Sequence, residues 1–303
     1  FIYKPKIVVI GSCNTDMVVK AGRLPVPGET VLGGTFYMNP GGKGANQAIE
    51  AARLGAEVTL ISKIGYDLFG LQALEIYRSE KINTEFIFTD QKSPSGVALI
   101  SVDSYGENSI IVAPGASRSL STEDIDKAKS KLEEADIILM QLEVPIETVE
   151  YAATIAKSYG KKVILNPAPA SVPSNSFLSC VHTILPNRIE AEMLSGIKVI
   201  DEESAWRAAK AIGEKGIENV VITLGKDGAY VKEKEEYTMI PAKEVETIDT
   251  TGAGDVFCGA FSVYLSENHT LTESVEFANA AAALAVTRMG AQSAIPYKRE
   301  IAL

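Results

Sequence analysis

The sequence predicts an α/β protein, a doubly wound and mostly parallel sheet flanked by helices, with a small antiparallel β lid. Three observations lead there. The run Ile7-Val8-Val9-Ile10 is apolar throughout and ends at Gly11, the pattern of a strand buried on both faces. Beyond it, short apolar runs alternate with segments of helical period, as repeated strand–helix–strand units require. Two stretches, 28–38 and 96–113, break that alternation with period-2 patterning and read as short antiparallel strands outside the main layer.

In chain order, 45–54 reads as a helix, 58–61 as a strand and 68–79 as a helix. Helix 122–133, strand 137–140, helix 146–159 and strand 162–165 follow. A helix around 205–214 precedes strand 220–224, and helices near 256–265 and 271–287 close the chain. The period-2 stretch 96–113 turns at Tyr105-Gly106-Glu107. No internal repeat, low-complexity tract or linker interrupts residues 1–303, which favours one domain with lid strands from about 12–40 and 91–113.

Composition narrows the function. Hydrophobic content of 46% and charged content of 22% are those of a soluble globular protein. A formal charge of −10 argues against nucleic acid or an anionic membrane surface as the main partner, though a local site can still hold an anion. No apolar run approaches a membrane span, and no secretory signal is visible. Cys13, Cys180 and Cys258 are scattered and in no CxxC spacing, so a disulfide scaffold or zinc cluster is disfavoured and the cytoplasm is the default. The only histidines are His182, in an apolar run, and His269, in a polar loop. Ser-His-Asp chemistry and His-based metal sites are thereby disfavoured, and proton transfer falls to carboxylates.

The most informative segment is Asp249-Thr250-Thr251-Gly252-Ala253-Gly254-Asp255, ahead of the apolar helix. Small residues at 252–254 let the backbone turn with several N–H groups facing one point, where the helix dipole favours an anion. Asp255 beside that point is either an ordinary first-turn Asp or the base of a phosphoryl-transfer site whose anion hole is Gly252, Ala253 and Gly254.

Other segments sit where strands hand over to loops, the usual ligand positions of open α/β sheets. After strand one, Asn14 and Asp16 alternate with Thr15 and point one way if the segment is extended; solvated loop polars are the other reading. Neither GxGxxG nor GxxxxGK[ST] occurs. In Pro40-Gly41-Gly42-Lys43-Gly44-Ala45-Asn46-Gln47, glycines open a helix, Lys43 and Asn46 share a face, and Asn46 is a poor helix former in an Ala-rich helix. Glu143 leaves an apolar strand as either a paired or a site carboxylate. Asn166-Pro167-Ala168-Pro169 is a stiff turn after another strand. Asn187 either caps a helix with Glu190 completing the box, or the pair meets phosphate or magnesium. Thr223-Leu224-Gly225-Lys226-Asp227-Gly228 suits a flat ligand or phosphate tail, and equally a hairpin turn.

Together and in this order, these segments resemble the ribokinase family of carbohydrate kinases over essentially the whole chain, from VVIGSCNTD to AVTRMGAQSAIP. GGKGANQA and DTTGAGD are that family's two signatures. With the NPAPA turn and the AVTRMGAQ tail, GGKGANQA points to its ribose-phosphorylating members rather than to nucleoside or fructose kinases. The resemblance implies transfer of the ATP γ-phosphate to the 5-hydroxyl of D-ribose, with Asp255 as base. It implies sugar contacts from Asn14, Asp16, Gly42, Lys43, Asn46, Glu143 and Asp255, and ATP contacts from Asn187, Thr223, Gly225, Gly228, Gly254 and Asn279. Glu190 helps place Mg²⁺, and a monovalent cation, usually K⁺, lies near Asp249, Thr251, Ala285, Arg288 and Gly290. The family also implies a homodimer through the lid, and a lid that excludes water. One departure is Ala294, where relatives often carry Ser.

Overall fold

Strands β1 (Lys6–Ile10), β4 (Glu57–Gly65), β5 (Ile87–Asp90), β8 (Ile137–Met140), β9 (Lys162–Leu165), β10 (Thr183–Ile184) and β11 (Asn219–Thr223) pair in parallel. Two antiparallel strands, β12 (Ala229–Glu233) and β13 (Glu236–Ile240), extend one edge. The result, in a computed structural model that describes residues 3–105 and 107–302, is a nine-stranded sheet of order β13-β12-β11-β10-β9-β8-β1-β4-β5.

Alternate residues of β1 enter opposite cores. Ile7 and Val9 pack with α1 (Lys43–Arg53), α9 (Ala253–Ser266) and α10 (Leu271–Ala285). Val8 and Ile10 pack with α5 (Ile146–Ser158) and α8 (Glu202–Gly213), between which lie α6 (Asn175–Leu178) and α7 (Arg188–Ser195). A central parallel strand must be apolar on both faces for this reason. Helix α2 (Leu68–Ser79) has the predicted bounds, its start fixed by Asp67 accepting from Gly70 N–H. The single helix expected over 122–133 is two, α3 (Thr122–Lys127) and α4 (Lys129–Glu134). Ala128 leaves helical geometry at φ −101°, ψ 6° and donates to Ile125 O at 2.9 Å, which breaks the ladder.

The lid is a four-stranded sheet, β3 (Thr35–Gly41), β2 (Asn14–Lys20), β6 (Gly96–Val102) and β7 (Asn108–Ala113), in that order. It is antiparallel at its two outer pairings but parallel between β2 and β6. Period-2 patterning does not carry a strand across 28–34, because Gly33 and Gly34 take φ of 110° and 100° and the strand begins after them. The expected turn at Tyr105-Gly106-Glu107 includes Gly106, which lies outside the described residues.

Candidate active site

Gly252 takes φ 75°, a left-handed turn that only glycine adopts without cost, and α9 starts from it with no side-chain cap. Ala253 N–H is used by Thr250 O at 3.2 Å and Val256 N–H by Gly252 O at 3.0 Å. Among the described residues, the N–H groups of Gly254 and Asp255 bond to no backbone carbonyl. A Cβ placed on Gly254 would meet nothing within 4 Å, so this side of the turn is open beside the positive end of the helix dipole.

The buried Asp255 carboxylate is held by two amides from α1. Asn46 Nδ2 donates to Oδ2 at 3.0 Å, and Gln47 Nε2 donates to Oδ1 at 3.0 Å. Gln47 Nε2 also donates to Asn166 Oδ1 at 3.1 Å and Gln47 Oε1 accepts from Gln141 at 2.6 Å, while Gln292 donates to Asn46 Oδ1 at 3.0 Å. Each carboxylate oxygen keeps a further lone pair for a substrate proton. Sequence reasoning found Asn46 because Asn conflicts with helix propensity. It missed Gln47, Gln141 and Gln292, since Gln is a good helix former and a neutral strand-end residue, and nothing local shows it to be buried.

The other expected sugar residues gather around the same point. Asn14 and Asp16 share a face of β2, beside Gly41 and Asn39 of β3. Gly42, at φ 93°, lies so close that a Cβ there would stand 2.7 Å from Asn14 N. Glu143 accepts from Lys43 N–H at 3.0 Å and from the Ser12 hydroxyl. Burial, reinforced by the charges of Glu143 and Asp255 and opposed by Lys43, pushes the Asp16 carboxyl up to about 6. The Asp255 carboxylate, with help from Glu143 and Glu190 and against burial, holds the Lys43 ammonium above its ordinary range.

Two cavities adjoin here. The smaller, about 210 Å³, is lined by Lys43, Asn187, Glu190, Thr223, Gly254 and Asp255 among others. Asn14, Asp16, Asn46 and Glu143 do not line it; Asn46 bonds Asp255 and Glu143 bonds Lys43, two residues that do. The larger, about 710 Å³, is lined by Thr223, Gly225, Gly228, Ala253, Gly254 and Asn279 among others. Thr223 and Gly254 belong to both walls. Asn279 Nδ2 donates to Pro241 O at 3.4 Å, which ties α10 to the segment after β13.

A model of the pfkB family of carbohydrate kinases matches residues 4–298. The chain belongs to that family. It is 45% identical to the ribokinase of Haemophilus influenzae over 294 residues, 97% of this chain and 96% of that one. It is 37% identical to the deoxyribokinase of Salmonella typhi over 291 residues, 96% of this chain and 95% of that one. The structure of Arabidopsis thaliana ribokinase complexed with ribose and ATP superposes with a TM-score of 0.91 at 30% identity, covering 99% and 98% of the two chains.

The capping reading of Asn187 holds in this pfkB-family kinase. Its Oδ1 accepts from Glu190 N–H at 2.9 Å and Glu190 accepts in return at 2.9 Å, yet both residues line the smaller cavity. Burial raises the Glu190 carboxyl against the pull of Asn187 N–H and Lys43. The hairpin reading of 223–228 holds too, since β11 and β12 pair antiparallel while Gly225 and Gly228 line the larger cavity.

The residues fit the family's metal ions unequally. Among the described residues no group of three His, Cys, Asp or Glu side chains is placed to hold a metal. The carboxylates lining the smaller cavity are Glu190 and Asp255, so a magnesium ion there would need further ligands, which substrate phosphates commonly supply. Asp249 suits a cation better. It accepts from Thr251 N–H at 2.9 Å, Thr251 Oγ1 at 2.6 Å and Gly290 N–H at 2.8 Å, bonds that hold its carboxyl below the usual range although burial acts against them. Asp249, Thr251 and Gly290 are thus brought together. Arg288 turns its guanidinium to Glu300 at 2.8 Å and its N–H to Ala285 O at 3.0 Å, so its side chain stands apart from that group.

Proposed function

We propose that this chain transfers the γ-phosphoryl group of ATP to the 5-hydroxyl of D-ribose, giving ribose 5-phosphate and ADP. One observation carries the reading: Thr223 and Gly254 form a wall common to two cavities, with Asp255 lining the smaller one. The smaller cavity then takes the phosphate end of ATP from the larger one and brings it to Asp255, which Asn46 ties to the sugar residues, so donor and acceptor meet at the start of α9 as in-line transfer requires. The larger cavity, about 710 Å³, falls within the roughly 300–1,000 Å³ of ordinary ligand pockets and suits a nucleotide.

Asp255 then accepts the proton of the attacking hydroxyl, and the N–H groups of Gly254 and Asp255, on the turn built by Gly252 and Ala253, face the charge on the moving phosphoryl. Asn14, Asp16, Gly42, Lys43, Asn46 and Glu143 hold the sugar. Asn187, Thr223, Gly225, Gly228 and Asn279 hold ATP, with Glu190 placed to assist Mg²⁺, which when bound neutralises phosphate charge. K⁺ near Asp249, Thr251 and the backbone of Ala285, Arg288 and Gly290 would supply positive charge behind the anion hole. Three free cysteines fit a cytoplasmic protein.

A homodimer through the lid completes the proposal. Strand register aligns Met38, Met17, Leu99 and Ile111 in one row on the face opposite Asn14 and Asp16. Met38, Leu99 and Ile111 are 48%, 50% and 68% exposed, an apolar strip that a second copy would cover.

ADP release from ATP, coupled to an indicator reaction, tests the activity across D-ribose, 2-deoxy-D-ribose, D-fructose and adenosine. D-ribose is expected to give the highest kcat/KM. A higher value with 2-deoxy-D-ribose moves the assignment to the Salmonella-like specificity, and no ADP with any acceptor rejects the kinase reading.

A further inference from the structure

The buried amides behind Asp255 form a chain with one direction. Gln141 gives its N–H to Gln47 Oε1, and Gln47 spends both amide hydrogens, one on Asp255 Oδ1 and one on Asn166 Oδ1. Asn166 is itself fixed by donating to Leu185 O at 3.2 Å. Gln47 cannot flip, because its carbonyl would then face two acceptors, the Asp255 carboxylate and Asn166 Oδ1. Gln47 and Gln141 are both fully buried, at 0% exposure, so no solvent competes for these bonds.

Gln141 Oε1 and Gln292 Oε1, at the ends far from Asp255, are buried with no donor among the described residues. The donated N–H groups of Gln141 and Gln47 run one way along the chain and end on Asp255.

We propose that Gln47 is a positioning residue for Asp255 and that Gln141 acts through it, together holding the carboxylate in one orientation. The inference rests on reading Asp255 as the base. Hydrogen bonds donated to a carboxylate favour its charged form, the form able to take a proton, and a fixed oxygen shortens the search for the reacting hydroxyl.

The test follows the Asp255 carboxyl carbon by NMR in free protein labelled with carboxyl-¹³C aspartate, its signal assigned with Asp255→Asn. The parent, Gln47→Met, Gln141→Met and the double variant are titrated. The other titratable groups facing Asp255, namely Lys43 of α1, Asp16 of β2, Glu143 after β8, Glu190 of α7 and Cys258 of α9, are the same in all four. In Gln47→Met the Asp255 midpoint is expected to rise by about one pH unit, and by less in Gln141→Met. The double variant should go no further than Gln47→Met, since Gln141 reaches Asp255 only through Gln47. Turnover should fall about tenfold in Gln47→Met with KM for ATP and sugar within about twofold.

An unchanged Asp255 midpoint in folded Gln47→Met overturns the proposal, and additive shifts in the double variant overturn the role given to Gln141. Should Gln47→Met not fold, Gln141→Met decides, because it leaves both donors to Asp255 in place; an unmoved midpoint there is then the overturning result. The titration needs no substrate. A shifted midpoint in a protein inert toward every sugar rejects the kinase reading and leaves the clamp standing.

Discussion

Asn46 and Asp255, 209 residues apart in sequence, meet through a hydrogen bond of 3.0 Å between α1 and the first turn of α9. The two signature segments of the chain are therefore one site: the glycine-opened helix that carries Lys43 and Asn46 also fixes the proposed base.

Asp255→Asn keeps the size and the helix start but removes the acceptor of the hydroxyl proton. Folded protein that still binds both substrates, with kcat lower by at least about 10²-fold, is the expected outcome in steady-state assays. Near-normal turnover would reject Asp255 as base.

Asp16 should govern the sugar rather than the nucleotide. Asp16→Ala leaves substrate hydroxyls unmatched and is expected to cost about 1–3 kcal/mol in sugar binding with little change for ATP. Because its carboxyl is pushed up to about 6, protonation below that pH removes an acceptor, so KM for ribose should rise as pH falls through 6 in the parent. Calorimetry of both ligands and a KM–pH series check this. Equal losses for sugar and ATP would contradict it.

Glu50 is a stability liability inside α1. It is fully buried, neither oxygen has a donor among the described residues, and burial pushes its carboxyl well above 4.5, with Arg53 opposing and Glu300 adding to the shift. Arg53 is engaged instead with Glu80 and with the carbonyls of Gln292 and Ile295. A raised folded-state value means the unfolded chain releases this proton first, so stability present below 4.5 is lost as pH rises, by at most about 1.4 kcal/mol per unit. Glu50→Gln should flatten that slope in denaturation midpoints measured from pH 5 to 8; parallel pH curves would refute it.

Replacing tetramethylammonium by K⁺ at constant ionic strength should raise the rate, and Asp249→Ala should abolish the difference. Asp249 has three donors but, among the described residues, no ion-pair partner. Rates indifferent to the cation in the parent protein would remove the site.

Leu99→Lys with Ile111→Lys should convert a dimer to monomer in sedimentation analysis. Their side chains sit opposite each other on β6 and β7, and two ammonium groups cannot be buried there without partners. A parent protein that is monomeric at micromolar concentration would end the lid-dimer proposal.

The sequence by itself determined what local pattern can carry. The apolar run of β1, the bounds of α2, the glycine turn at 252–254 and the Asn187–Glu190 capping box follow from periodicity, propensity and spacing along a few residues. Tertiary structure decided what depends on neighbours far along the chain. The parallel pairing of β2 with β6 inside the lid is one case, since period-2 patterning is the same for either direction. The turning away of Arg288 toward Glu300 is another. The amide chain from Gln141 through Gln47 to Asp255 is the fullest, because a glutamine in sequence carries no mark of whether its hydrogens will meet water or a carboxylate 208 residues away. Burial creates that distinction, and burial is a property of the packed sheet and helices rather than of any segment within them.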